Sequence, residues 1–273
     1  MSDQSAFDQE IFGSPTQQAL VRRSQAFWHL VQDDPRFSYY GRLVGFAEPP
    51  DQLERSMLAL ARTQGAALCY RLPKEQLPSL ADRLSDHGLL PDRHEQFMGD
   101  ISAYEAAKSV LAVHRLPADL TLTWLDGTTP AADVAAVAAL CEACDVMVVP
   151  GQILRGLLRR GGVLVAWDQG RQPVGTASSF IAHHPESPFS DVAFWGALAT
   201  APTRRGEKIA LVLGAMMLVH MWENIGARGF TTGVRHDNAS SIALCNRLGV
   251  ADTPWAYAVC LDPDQVGRGQ MTK

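Results

Sequence analysis

The segment with the most chemical content runs Leu198-Ala199-Thr200-Ala201-Pro202-Thr203-Arg204-Arg205-Gly206-Glu207-Lys208-Ile209-Ala210. A strand-like stretch ends, a turn carrying three cations follows, and a long apolar helix begins. Amides at a helix N-terminus have no partner inside the helix, and the aligned peptide dipoles place partial positive charge there. Arg204, Arg205 and Lys208 fall in or beside the same turn. Together these groups describe a pocket for a pyrophosphate. The competing reading is a solvated basic turn that opens a surface helix.

A second segment follows, Asn238-Ala239-Ser240-Ser241-Ile242-Ala243-Leu244-Cys245-Asn246-Arg247-Leu248-Gly249-Val250. Asn238 suits an N-cap, because its side-chain oxygen accepts from a first-turn amide. Ile242, Leu244, Cys245 and Leu248 are apolar, and Gly249 tolerates the left-handed conformation that ends a helix.

In this order, and about 30 residues apart, the two segments resemble the GNAT N-acyltransferase superfamily. The phosphate loop of that family reads Arg/Gln-x-x-Gly-x-Gly/Ala after a strand ending Val-x-Pro. Here the loop is Arg205 to Ala210, after Thr200-Ala201-Pro202. The later family motif reads Asn-x-x-Ala/Ser-x-x-Leu-Tyr-x-x-x-Gly-Phe, and Asn238 to Val250 stands in its place. The resemblance covers about residues 119–262.

The resemblance implies the following roles. Leu198, Ala199 and Thr200 would hydrogen-bond a pantetheine arm through their backbone, as an added strand does. The amides of Arg205, Gly206, Glu207, Lys208, Ile209 and Ala210 would hold the pyrophosphate. Asn238, Ser241 and their helix would lie beside the thiol end. Acetyl-CoA would be the cosubstrate, with no metal, and a small amine would receive the acyl group directly. The N–H near Leu198 or Ala199 would stabilise the tetrahedral oxyanion.

Two residues depart from the pattern. Lys208 occupies the first glycine position of the loop, where a side chain would either block the phosphate or add a cation to it. Cys245 replaces the tyrosine that protonates the departing thiolate. A thiol, with a reference pKa of about 8.5, is a candidate acid, although a buried Cys is ordinarily inert. Tyr257 is a poorer substitute. For the base, the candidates are Asp191, at the start of the central strand, and His183 or His184 in the loop before it. His220 reads as a core residue. Cys141 and Cys144, one helical turn apart with no second pair, read as plain thiols and not as metal ligands.

The elements that must position these groups are legible from periodicity. Helices are predicted over 16–32, 51–63, 74–87, 130–144, 150–160, 207–225 and 239–248. Strands are predicted over 40–47, 66–72, 93–98, 120–125, 163–167, 173–181, 192–200, 230–234 and 255–261. Residues 99–118 are ambiguous and hold the domain junction. This order predicts an α/β (α+β) fold, with a mostly antiparallel mixed sheet flanked by helices. The order helix, strand, helix, Gly, strand occurs twice, ending at about residues 98 and 261. It suggests a duplicated unit: a degenerate N-terminal copy over 1–115, and a complete acyltransferase domain over 116–273.

Composition bounds the remaining choices. At about 150 residues per domain, 273 residues make roughly two units. Twenty-four Lys and Arg against 29 Asp and Glu leave a net charge of −5, which argues against a nucleic-acid partner. The longest apolar run, Ile209 to Val219, is too short to cross a membrane. The polar first ten residues lack the pattern of a secretory signal. Five cysteines without framework spacing fit reduced thiols in a cytoplasmic protein. A homodimer is a further expectation. A non-catalytic acyl-CoA sensor or scaffold, and an α/β protein that binds no CoA, are the alternatives to the enzyme.

Overall fold

A computed structural model of the chain describes residues 9–267. Of the polar first ten positions, residues 1–8 lie outside the described residues. Helix α1 (Pro15–Val31) leads to the short strands β1 (Phe37–Tyr39) and β2 (Val44–Phe46), then to α2 (Leu53–Gln64) and β3 (Ala66–Pro73). Next come α3 (Leu77–Asp86), β4 (Leu90–Gly99), α4 (Ile101–Val113), β5 (Thr121–Trp124), α5 (Ala131–Ala143) and the single turn α6 (Gly151–Leu154). The antiparallel run β6 (Gly161–Trp167), β7 (Pro173–Ile181) and β8 (Val192–Thr200) follows. The chain closes with α7 (Ile209–His220), β9 (Gly229–Val234), α8 (Ala239–Arg247), β10 (Ala251–Leu261) and α9 (Pro263–Val266).

Local chemistry explains most boundaries. Ser14 and Gln17 form a reciprocal capping box ahead of α1, with Pro15 in its first turn. The ambiguous 99–118 stretch contains α4, because Asp100 accepts from the Ser102 amide at 2.9 Å and caps it. Three expectations are corrected. Of the strand expected over 40–47 only β2 forms: Gly41, at φ +77°, opens a turn, and β1 lies before it. The helix expected over 150–160 stops after one turn, and Gly156 follows at φ +68°. The helix expected from Glu207 begins at Ile209 and ends in a π-turn, Met221–Ile225.

All ten strands join one sheet, in the order β1-β2-β3-β10-β4-β9-β8-β7-β6-β5. Neighbours are antiparallel except for β2–β3 and β8–β9. Each half thus carries a parallel pair followed by a helix and a final strand. The two final strands are exchanged. β4, from the first half, pairs with β9 of the second, while β10 pairs with β3 of the first. β4 and β10 pair with each other in the middle. The described residues up to 115 therefore do not close a sheet of their own, since β10 stands between β3 and β4.

One face of the sheet carries an apolar cluster under α1, α5 and α6, including Trp28, Tyr39, Val137 and Ile153. The other face packs against α4, α7 and α8 around Phe97, Trp195 and Phe230, and against α2 and α3 around Met57, Leu60 and Leu80. α7 sits close on β8. Trp195 donates its indole N–H to the Gly214 carbonyl at 3.2 Å, and a β-carbon on Gly214 would stand 2.9 Å from Trp195. Among the described residues, no helix is long and apolar enough to cross a membrane.

Candidate active site

β8 and β9 run parallel for only three pairs: Val192–Gly229, Ala193–Phe230 and Phe194–Thr231. Beyond Phe194 they part. On its other side β8 bulges against β7: Ser178 faces Gly196 and Thr176 faces Ala199, so Ala197 and Leu198 share one partner position. Ala197 takes φ +48° there. From Trp195 to Thr200 the β9-facing edge of β8 has no strand partner. Leu198, Ala199 and Thr200 lie on this stretch. The carbonyl of Thr200 accepts the Cys144 thiol at 3.3 Å.

The same strand delivers the cationic turn. Pro202–Arg204 forms a short 3-10 turn, Arg205 is extended, and Gly206 takes φ +87°. Lys208, at φ 62° and ψ 18°, stands ahead of α7 without a side-chain cap. The first helical bond runs from Val212 N to Lys208 O at 3.0 Å. Among the described residues, the amides of Gly206, Glu207, Lys208, Ile209, Ala210 and Leu211 donate to no backbone acceptor. The left-handed backbone costs a non-glycine residue about 1–2 kcal/mol. The Lys208 side chain is exposed.

The three cations of the turn do not act alike. Arg204 is clasped by Asp119 at 2.9 Å and by Glu207 at 2.7 Å. Its hydrogen bonds hold both carboxyls below their usual range. Arg205 and Lys208 stay exposed, with no ion pair among the described residues. Arg247, on α8, adds a cation nearby. It lies 2.8 Å from His114, whose imidazole is held below its ordinary pKa by burial and then by the charges of Lys208 and Arg247.

A small cleft of about 80 Å³ opens beside the parted strands. Phe194 and Gly233 line it where β8 leaves β9, Tyr257 and Val259 from β10, and Leu68 and His94 from β3 and β4. Tyr40, Arg42 and Leu43, from the turn between β1 and β2, complete the wall. The Gln96 amide donates to Thr231 Oγ1 at 3.1 Å, and that oxygen lies 2.9 Å from Tyr257 Oη. Burial pushes the Tyr40 and Tyr257 phenols well above their ordinary pKa, so both stay protonated at neutral pH. Tyr40 and Tyr70 have buried hydroxyls without hydrogen-bond partners. His94 Nε2 lies 3.2 Å from Asp92 Oδ2, and Arg235 Nη1 donates to Asp92 Oδ1 at 2.9 Å. Asp92 and His94 are two residues apart and so share one face of β4.

Residues 145–250 match the model of the acetyltransferase (GNAT) family. This part of the chain belongs to that family. The chain is also similar to a solved GCN5-related N-acetyltransferase from Kribbella flavida, at 16% identity and TM-score 0.54, over 89% of this chain and 95% of that one. It is similar to a Drosophila protein at 13% identity and TM-score 0.55, over 91% and 90% of the two chains. A tandem GNAT protein from the clavulanic acid biosynthesis pathway matches at 17% identity and TM-score 0.50, over 74% and 65%. At these identities the likeness is one of fold. Among curated proteins, none matches the sequence.

Against the GNAT fold, the expected catalytic side chains fall in unequal places. Cys245 is only 3% exposed, within the apolar cluster around Leu248 and Val250, and burial pushes its thiol up to about 12. That corrects its reading as an acid: a thiol buried in this cluster does not line the cleft. Asp191 is exposed, six residues before the bulge at Ala197, about 20 Å away at the rise of a strand. It is therefore not brought to the parted strands. His183 is buried against Tyr40, Tyr70 and Phe189, and burial, then Arg159, lowers its pKa to about 3. His184 accepts from the Glu186 amide in its loop. Asn238 caps α8 as expected, accepting from Ser241 N at 3.1 Å. His220 is half-buried against the Trp124 ring. Cys141 is core, and no group of three or more His, Cys, Asp or Glu among the described residues is arranged to hold a metal.

Sequence reasoning missed His94, Asp92 and Tyr40, because they lie in the half that has no counterpart of the cationic turn. The loop after β2 reads Ala47-Glu48-Pro49-Pro50-Asp51-Gln52, with two carboxylates and neither glycine nor cation. That loop would repel a pyrophosphate. A signal was present in β4, where Asp92, His94 and Gln96 place polar groups at every second residue of a buried strand.

Proposed function

We propose that the protein is an N-acyltransferase that moves an acetyl (acyl) group from acetyl-CoA to the amine of a small or amino-acid-like acceptor. One observation carries this reading. A single strand, β8, ends both in an edge left open by its parting from β9 and in an uncapped helix start whose amides are free beside Arg205 and Lys208. An extended pantetheine arm suits the first feature and a pyrophosphate the second.

In this reading the amine attacks the thioester carbonyl carbon, a C–N bond forms, and the carbonyl electron pair moves to oxygen. Amides of the bulged Ala197–Ala199 segment stabilise that oxyanion. His94, oriented by Asp92, accepts the proton the amine loses. The C–S bond then breaks, and Tyr257, in its hydroxyl chain with Thr231, donates to the departing thiolate. The base thus comes from the first half of the chain, through the exchanged strand β4. The five unpaired cysteines support a reducing, cytoplasmic setting.

The burial of Cys245 favours a second reading, an acyl-CoA-binding sensor without turnover. Amine-dependent release of free thiol from acetyl-CoA separates the two. Release across an amine panel supports the enzyme, and tight binding without release supports the sensor.

A further inference from the structure

Among the described residues, the cleft beside the parted strands has on its wall a cation with no counter-ion. Arg42 sits in the turn between β1 and β2, which closes through Tyr40 N to Leu43 O at 3.0 Å, and its carbonyl is held by Ser24 Oγ. The guanidinium donates one hydrogen bond, from Nη1 to the Met147 carbonyl at 2.8 Å, and has no carboxylate partner among the described residues. Burial lowers its pKa to about 10, which leaves it charged at neutral pH.

Of the other arginines held within the fold, some have carboxylate partners, while Arg23 and Arg159 have none among the described residues. Arg155 pairs with Glu10 at 2.7 Å and Arg235 with Asp92 at 2.9 Å. Arg159 lies over the Trp28 and Tyr39 rings, at 4.4 and 5.5 Å. Desolvated cations are ordinarily matched in this way, because an unmatched one is costly. Arg42 lines the cleft that His94 also lines, and the neighbouring walls, Leu43, Leu68, Phe194 and Val259, are apolar.

We infer that the acceptor is a free apolar α-amino acid, whose carboxylate pairs with Arg42 and whose side chain lies on the apolar wall while its amine faces His94. A guanidinium suits this task because it presents paired donors to both carboxylate oxygens. The inference rests on the acyl-transfer reading above.

The test compares matched acceptors in thiol release from acetyl-CoA: leucine against isoamylamine, and phenylalanine against phenethylamine. The amino acids should be preferred in kcat/KM by about tenfold or more, the weight of a charge-assisted hydrogen bond. Arg42→Gln should erase that preference, mainly through KM, while calorimetric affinity for CoA stays unchanged. Should this variant fail to fold, the wild-type preference decides alone. Release that is equal or faster with the decarboxylated amines overturns the inference and leaves acyl transfer standing. No release with any amine overturns both.

Discussion

His183 should make the fold sensitive to acid, and the size of the effect follows from its surroundings. It is 3% exposed, its two ring nitrogens have no hydrogen-bond partner, and burial, then Arg159, pushes its pKa down to about 3. In the unfolded chain the same group titrates at about 6.5. As the pH falls through 6.5 the unfolded state binds the proton and the folded state does not. Stability is therefore full above about pH 6.5, and falls steadily until the folded state also titrates near pH 3. Between pH 7 and pH 5 this one group should remove about 2 kcal/mol. Urea unfolding at pH 7, 6 and 5, for the wild type and His183→Phe, measures it. The variant should lose about 2 kcal/mol less than the wild type over that range. Equal losses would refute the reasoning and return His183 to the list of protonatable groups. A residue that stays neutral down to about pH 3 does not take an amine's proton at neutral pH.

The other predictions concern the site. His94→Gln should lower kcat/KM by about 10²–10⁴-fold, the usual weight of a general base, with CoA affinity unchanged in calorimetry. A loss below about fivefold would remove His94 from that role. Cys245→Ala should leave turnover unchanged and lower stability by about 1 kcal/mol, as for other small losses from a core. A fall in thiol release that exceeds the loss of folded protein would reinstate the thiol as an acid. Arg205→Glu should weaken CoA binding by about tenfold or more, since it replaces a charge-assisted contact with a repulsion. An unaltered melting temperature should accompany that change, and unaltered affinity would show that the phosphate lies elsewhere.

The cationic turn ahead of α7 was legible in the sequence because its ingredients are local. A strand end, a glycine, cations and an apolar helix lie within thirteen consecutive residues, 198–210. The fate of Arg204 was not legible, because one carboxylate that claims it, Asp119, is 85 positions away. The exchange of β4 and β10 was hidden for the same reason, since strand order depends on which edges meet in space. Through that exchange His94 reaches the cleft with Asp92 against its ring, so a reading that assigned them to a degenerate half passed over them. The helix expected over 150–160 failed on backbone chemistry: Gly156 takes a positive φ there, and Arg155 is held by Glu10 from the chain's beginning. Cys245 was placed correctly on its helix by spacing, but a thiol at a motif position does not declare which way it faces.

The account rests on CoA occupying the open edge of β8 and the free amides before α7. Calorimetric titration of the full chain with CoA tests that most directly. Saturable binding well below the millimolar range, weakened by Arg205→Glu, is the result predicted. No binding heat at sub-millimolar concentrations would contradict the account, and with it both the enzyme and the sensor.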